Sequence, residues 1–342
     1  MRNIDCICIL GPNRPGASLL RRPLSATTPG SIVVRVEYAG LNYKDALATM
    51  PDSKVLRHFP RIGGSDFSGV VVESLDPFFR PGDKVFSCAN GLGVDRDGGF
   101  AEFVRIDGTH LRHLPAALSA FEICALGVAG ITAALSLHLL EAQGLVCGAG
   151  PVLVTGATGG VGTMAIEMLA RLGHEVIAHT AKPEMRQHLL DLGASDVIST
   201  TATERPGKPL ERATWAAAID TIGGDGLDLM IRRMMPRGCI ASVGNAAGNT
   251  FASNLLPFIL RGVRIIGVNL TEYAELMDTL MARLADELKP VRALGLTQIV
   301  DMEDVPHMLN AMLERRTTGR IVMHPFPTGR TASCGFQSRK GP

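Results

Sequence analysis

The chain has 342 residues, 46% of them hydrophobic and 20% charged, and a formal net charge of +1. That length is a prior for about two domains, with apolar content enough for two sizeable cores. Lys and Arg are scattered, so there is no basic stripe for a phosphate backbone and nucleic-acid binding is excluded. No 18-residue apolar run and no charged leader ahead of an apolar core is read, so the expectation is a cytoplasmic protein without a membrane span.

In chain order, an Arg- and Pro-containing segment runs through Thr28, with Cys6–Leu10 as its candidate strand. Strand-like runs of apolar and β-branched residues follow at Ile32–Tyr38, Gly69–Glu73, Lys84–Ser87 and Phe100–Ile106, with Arg80-Pro81-Gly82-Asp83 as a turn. Residues 119–146 carry helical apolar spacing at Phe121, Ala125, Leu135 and Leu139. Strands alternate with helices from Val152 onward. The second strand lies at Glu175–His179, and four more lie at Asp196–Ser199, Ala216–Thr221, Cys239–Val243 and Val263–Val268. Six such strands are what two mononucleotide-binding halves require. From about 272 the pattern returns to helix, strand and helix, closing at Gly319–Met323 and rejoining the first domain. Thr331–Pro342 is polar and basic without periodicity and reads as a disordered tail.

The turn after Val152–Thr155 is the most specific signal in the chain. Gly156-Ala157-Thr158-Gly159-Gly160-Val161-Gly162 joins an apolar strand to an apolar-periodic helix. Ala157 is expected at the tight-turn position, Gly159 where backbone approaches a pyrophosphate, and Gly162 where the helix packs on the strand. Free N–H groups at the helix start would face the phosphates. NAD readers place an Asp or Glu about 20 residues further on. This chain has His179-Thr180-Ala181-Lys182 there instead. A hydroxyl and an ammonium suit a 2′-phosphate, which points to NADPH; the alternative is that Thr180 and Lys182 merely begin the next helix.

Seven dispersed cysteines form no C-x2-C pair, and no three-ligand metal set is read, so no metal is expected. Cys6 and Cys8 lie on an apparent strand and are expected to face opposite ways.

Five blocks narrow the reading: Gly40-Leu41-Asn42-Tyr43-Lys44-Asp45-Ala46-Leu47, Gly64-Ser65-Asp66-Phe67-Ser68-Gly69, the glycine turn, Trp215–Gly223 and Leu256–Val263. In that order and spacing they resemble the acrylyl-CoA reductase (YhdH/AcuI-type) family, in the quinone oxidoreductase branch of the zinc-free medium-chain dehydrogenase/reductases. The resemblance implies an α/β fold, with a β-rich GroES-like catalytic domain (1–120 and 287–328) and a doubly wound Rossmann domain (121–286), followed by the tail at 329–342. It also implies NADPH-dependent reduction of a carbon–carbon double bond conjugated to a carbonyl, in a homodimer. Hydride would pass from the nicotinamide to the β-carbon and leave an enolate needing aimed donors. Asn42 and Tyr43 are the candidates, and Asp45 is carried with them as a catalytic candidate. Tyr43 would also face the cofactor, while the proton source for the α-carbon stays open between Tyr43 and water. Asn245, Asn269 and Leu270, at the ends of the fifth and sixth strands, are expected at the nicotinamide side. Arg320 would reach the cofactor or brace the domain junction. Asp66 reads as a backbone-capping carboxylate.

Arg96-Asp97-Gly98-Gly99 and Asn269-Leu270-Thr271 depart from the family's His-Trp-Gly-Gly and Asp-Ser-Val. The acceptor is therefore left open among acryloyl-CoA, another enoyl thioester, a free enone and a quinone. A non-catalytic NADPH-binding protein on the same fold is the reading from another class.

Overall fold

The computed structural model describes residues 2–199 and 207–326. The tail expected at 329–342 lies outside the described residues. In chain order the first elements are β1 (Asn3–Ile9), β2 (Ala17–Pro23), β3 (Ile32–Leu41), α1 (Tyr43–Leu47), β4 (Arg61–Ile62), β5 (Asp66–Ser74), β6 (Lys84–Cys88), β7 (Phe103–Ile106) and β8 (Arg112–His113). Next come α2 (Ala120–Ala142), β9 (Val152–Thr155), α3 (Gly160–Arg171), β10 (Val176–Thr180), α4 (Arg186–Asp191) and β11 (Asp196–Ser199). Then follow β12 (Trp215–Asp220), α5 (Gly226–Arg233), β13 (Met234–Ser242), α6 (Leu256–Arg261) and β14 (Arg264–Gly267). The last are α7 (Met277–Ala285), α8 (Val291–Gly295), β15 (Gln298–Asp301), α9 (Val305–Leu313) and β16 (Ile321–His324).

Strands β9 to β14 form one parallel sheet in the order β11-β10-β9-β12-β13-β14. Counted within the sheet this is 3-2-1-4-5-6, the doubly wound order, and it reverses between β9 and β12. The central strands read as unbroken apolar runs because both faces are covered; every residue of β9 is buried. The remaining strands make a three-stranded antiparallel sheet, β2-β1-β4, and a seven-stranded sheet in which β16 pairs with β3 and β15 with β16. The late strands β15 and β16 thus extend the sheet built by the early chain. This is the α/β architecture the motifs implied, a GroES-like β-rich part joined to a Rossmann sheet.

Helix α2 lies between the two parts. It opens on a capping box, with Ser119 accepting from the Glu122 N–H and the Glu122 carboxylate accepting from the Ser119 N–H at 2.8 Å. By length and composition α2 is apolar enough to cross a membrane, which corrects the sequence reading, yet 83% of its most apolar window is buried in the protein. It is a core helix, hydrophobic all round because it is surrounded.

Two other expectations change. Strand β13 begins at Met234, five residues before Cys239, because Met234 pairs with Trp215 and a register shift absorbs the Pro236-Arg237-Gly238 turn signal. Cys6 and Cys8 face the same way, with their sulfurs 3.7 Å apart, since residues two apart on a strand share a face.

Candidate active site

The reversal of strand order puts a crevice at the carboxyl ends of β9 and β12. Its floor is rigid. Thr155 Oγ1 donates to Asp220 Oδ1 at 2.6 Å, and Thr221 Oγ1 donates to Thr155 O at 2.9 Å. The buried Asp220 carboxylate also accepts from the N–H groups of Ile222 and Gly223.

The glycine turn crosses this floor. Gly156, not Ala157, takes the tight-turn position: its φ is +59°, and a Cβ there would meet Thr221 Oγ1 at 2.1 Å. Ala157 is buried and donates its N–H to His179 O at 3.1 Å. A Cβ on Gly162 would meet Gly156 O at 2.4 Å, so α3 can pack on the turn only with glycine there. Gly159 is exposed, and a Cβ on it would meet nothing closer than Gly156 O at 3.3 Å. The turn therefore presents open backbone and the start of α3 to the crevice, the cradle a pyrophosphate needs. Thr158 is buried, Gly160 and Val161 half-buried, and Gly159 faces outward.

At the end of β10, Thr180 is buried and its hydroxyl accepts from the Lys182 N–H at 3.0 Å, while Ala181 is exposed. The Lys182 ammonium donates to Thr317 O at 2.7 Å and lies 3.4 Å from Thr318 Oγ1. Desolvation lowers its pKa from the ordinary lysine value. With an ammonium offering three protons, Lys182 keeps a donor for a phosphate.

Other candidates sit differently. Asn245 is exposed on the loop after β13. Asn269 is also exposed, and its side chain accepts from the Thr271 N–H at 3.3 Å. The Leu270 side chain belongs to the core beneath α2 and α7, so it presents no side chain to a nicotinamide; this corrects the expectation for that residue.

The loop at Asn42–Asp45 is held by a buried polar network. Asn42 caps α1: its N–H donates to Asp45 Oδ2 at 2.9 Å, and Ser65 Oγ donates to Asp45 Oδ1 at 2.8 Å. The Asn42 amide donates to Asp66 Oδ2 at 2.8 Å and lies 3.3 Å from both Gly40 O and Ser65 Oγ. Asp66 also accepts from the N–H groups of Gly40 and Val128, at 2.8 Å and 2.9 Å. Arg320 closes the network. Its guanidinium donates to the carbonyls of Ala125, Leu41 and Cys124 and to Asn42 Oδ1, and stands 3.6 Å from Asp66.

Three expectations change on this geometry. Asn42 has spent its amide protons on the protein and is not free to hold an enolate. Asp45 is buried, with one oxygen taken by the Asn42 N–H and the other by the Ser65 hydroxyl, so it is not placed to act on a substrate. Arg320 is saturated and buried, so it braces the junction and does not hold the cofactor. Burial, more than any neighbour, pushes the Asp45 pKa up from 3.8 to about 7, and the Asp66 charge pushes the same way. Tyr43 is the exception. It is half-buried at the first position of α1, and its hydroxyl makes no hydrogen bond among the described residues.

The Tyr43 loop and the glycine turn are stitched together by two consecutive residues. The Gly319 N–H donates to Thr158 O at 2.8 Å, and Arg320 holds Leu41 and Asn42. Ser65, Thr317 and Thr318 were not anticipated as parts of this arrangement; the backbone-capping role of Asp66 was legible from the glycines ahead of it.

Residues 28–116 match the alcohol dehydrogenase GroES-like domain, and residues 160–287 match the family described as zinc-binding dehydrogenase. Among the described residues no group of three His, Cys, Asp or Glu is placed to hold a metal ion, so the residues do not fit a zinc and no step is derived through one. YhfP of Bacillus subtilis, provisionally named a quinone oxidoreductase, is 39% identical over 85% of this chain and 89% of its own. Its crystal structure with NAD bound covers 95% of this chain and all of its own at 34% identity, with a TM-score of 0.89. The acrylyl-CoA reductase AcuI of Ruegeria pomeroyi is 34% identical over 90% of this chain and 94% of its own. The crystal structure of Escherichia coli YhdH with bound NADPH covers 93% of this chain and 99% of its own, at 34% identity and a TM-score of 0.89. The chain belongs to the medium-chain dehydrogenase/reductase superfamily, in the branch of these acrylyl-CoA reductase and YhdH/YhfP proteins, and is an oxidoreductase of that NADP-binding family.

Proposed function

We propose that this chain uses NADPH to reduce the carbon–carbon double bond of an α,β-unsaturated thioester or carbonyl, with an acryloyl-CoA-like thioester as the preferred class. The observation that carries this reading is the juxtaposition made by Gly319 and Arg320, which ties the dinucleotide turn to the loop of an uncommitted tyrosine. Bound NADPH supplies the hydride; the protein's own part is to position and to stabilise charge. The exposed backbone of Gly159 and the start of α3, with Gly160 and Val161, would hold the pyrophosphate. Lys182, together with Thr318, would hold the 2′-phosphate. The Tyr43 phenol O–H would donate to the carbonyl oxygen as negative charge grows there. Asn42, Asp45, Ser65, Asp66 and Arg320 act through Tyr43 by fixing the loop, so that the donor needs no reorganisation during the reaction.

The 1–120 and 287–328 segments would form the substrate-shaping unit and 121–286 the cofactor unit, in a cytoplasmic homodimer. Strand β14 is the open edge of the parallel sheet, and α6 beside it exposes Leu255, Leu256, Ile259 and Leu260. An unpaired edge next to such a patch suits an isologous contact with a second copy.

A quinone acceptor is the second reading, favoured by the name of the Bacillus subtilis relative. The test is NADPH oxidation with acryloyl-CoA, crotonyl-CoA and a simple quinone side by side, repeated with NADH and with NADPH carrying deuterium at the transferred position. Deuterium at the β-carbon of the saturated thioester, together with a loss of about 10²-fold or more in kcat for Tyr43→Phe, supports the proposal. Turnover of quinone alone moves the chain to the second reading. Tight NADPH binding without turnover of any acceptor leaves a binding protein. Lys182→Met is expected to raise KM for NADPH while leaving KM for NADH nearly unchanged.

A further inference from the structure

Cys6 and Cys8 sit side by side on β1, remote in role from the reaction proposed above. Their sulfurs are 3.7 Å apart and both residues are wholly buried. Cys6 Sγ also lies 3.5 Å from Leu20 O, and Arg22 Nη1 reaches to 3.8 Å from Cys8 Sγ. The same guanidinium is pinned by Ala26 O at 3.1 Å, so its charge is fixed beside the pair. We propose that Cys6 and Cys8 form a vicinal dithiol that hydrogen peroxide converts to an intrastrand disulfide.

The surroundings divide the two sulfurs into a nucleophile and a resolving thiol. The contact between the two sulfurs and the Arg22 guanidinium beside Cys8 hold the Cys8 thiol low, against the opposing pull of burial. Cys6 is raised by the same contact and by burial. Asp97 is the other charge that bears on the pair, and it disfavours a thiolate at both positions. The buried thiols Cys88, Cys124 and Cys239 have their pKa values raised chiefly by burial. Low pKa beside a cation is what marks a reactive thiol, and a partner thiol at hand is what stops oxidation at the disulfide.

The steps balance. The Cys8 thiolate attacks one peroxide oxygen, the O–O bond breaks, and the departing hydroxide takes a proton to leave as water. Cys6 then attacks the sulfenic sulfur of Cys8, the S–O bond breaks, and a second water leaves with the Cys6 proton. Two thiols lose two electrons and two protons, and one peroxide becomes two waters. The bond forms only where β1 bends. Residues i and i+2 on a strand have Cα atoms roughly 6.8 Å apart and same-face Cβ atoms about as far, whereas a disulfide needs Cβ atoms about 3.5–4.5 Å apart, so closing the ring buckles the strand and leaves a strained, readily reduced bond. Access comes by fraying of β2, the outer strand of a three-stranded sheet whose residues are half-buried or exposed.

The experiment uses full-length protein carrying Cys147→Ser and Cys334→Ser, which removes an exposed thiol and the one in the carboxyl-terminal segment. After hydrogen peroxide, denaturation and alkylation, the tryptic peptide spanning 3–21 is weighed. The expected result is a peptide that has lost two hydrogens and takes no label, and that regains both labels after reduced glutathione. Arg22→Gln, at a half-buried position on β2, is expected to slow this loss severalfold, with an unchanged circular dichroism spectrum showing that the fold is kept. Two labelled cysteines after peroxide, sulfinic acid on Cys8 without the ring, or an unchanged rate in Arg22→Gln would each overturn the proposal.

Discussion

Two carboxylates and one guanidinium meet at the centre of the molecule, and their arithmetic sets how the site behaves. Arg320 satisfies four oxygens besides facing Asp66, so removing it strands several buried acceptors at once. Arg320→Met is expected to cost about 3–5 kcal/mol, the range for breaking a buried pair, read as a lower urea midpoint. Arg320→Lys, with three donors in place of a planar fork, should recover only part of it. Asp45 is left over in this arithmetic. Its folded pKa of about 7 stands above the ordinary 3.8, so between those values the folded chain keeps a proton that the unfolded chain has released. Its contribution is complete below about pH 4 and is lost as pH rises through about 7. Wild type should therefore lose stability relative to Asp45→Asn between pH 5 and pH 8; equal slopes for the two proteins in unfolding titrations would show that Asp45 does not titrate there. At this scale the sequence located the loop but not the division of labour. An asparagine beside a tyrosine looks like a pair of donors, and only the positions of Asp66 and Gly40 reveal that the amide is already used.

Helix α2 shows what patterning can and cannot convey. Its apolar spacing and the strand after it are readable from residue types, and the capping box at Ser119 and Glu122 came to light in the structure. Its interruption is not readable. Gly127 has φ +45° and ψ −151°, which turns the Val128 N–H toward Asp66. The apolar run continues through this point, so nothing in the periodicity announces it. A Cβ there would stand 2.5 Å from Asp66 Oδ2 and 2.6 Å from Arg320 Nη2. Gly127→Ala is thus expected to destabilise by more than the roughly 1–3 kcal/mol of backbone strain alone, whereas Ser119→Ala should cost about 1 kcal/mol through the lost cap. Thermal unfolding of the two variants side by side separates the effects. The early start of β13 escaped for a related reason: Pro236, Arg237 and Gly238 carry turn chemistry, Arg237 has φ +65°, and the strand pairing that overrides them is with Trp215, nineteen positions back.

For the whole molecule, the order of the six parallel strands follows from alternating strands and helices plus one glycine turn, which is why the fold was legible. How β15 and β16 return to β3 was readable only as a tendency, because pairings over such separations leave no local mark. The open edge at β14 and the exposed face of α6 give the assembly prediction. Ile259→Glu with Leu260→Glu should shift the mass measured by light scattering from two copies toward one; an unchanged mass would place the contact elsewhere. The segment from Arg315 to Arg320 has a consequence for biosynthesis. Arg315 donates to Ala246 O, Thr317 accepts from Lys182, Gly319 binds Thr158 and Arg320 binds Asn42, so this stretch touches loops on both sides of the crevice. Every one of those partners emerges from the ribosome before it. The parallel sheet can form on the nascent chain, but the loop bearing Tyr43 cannot be locked against the glycine turn until synthesis has passed Arg320.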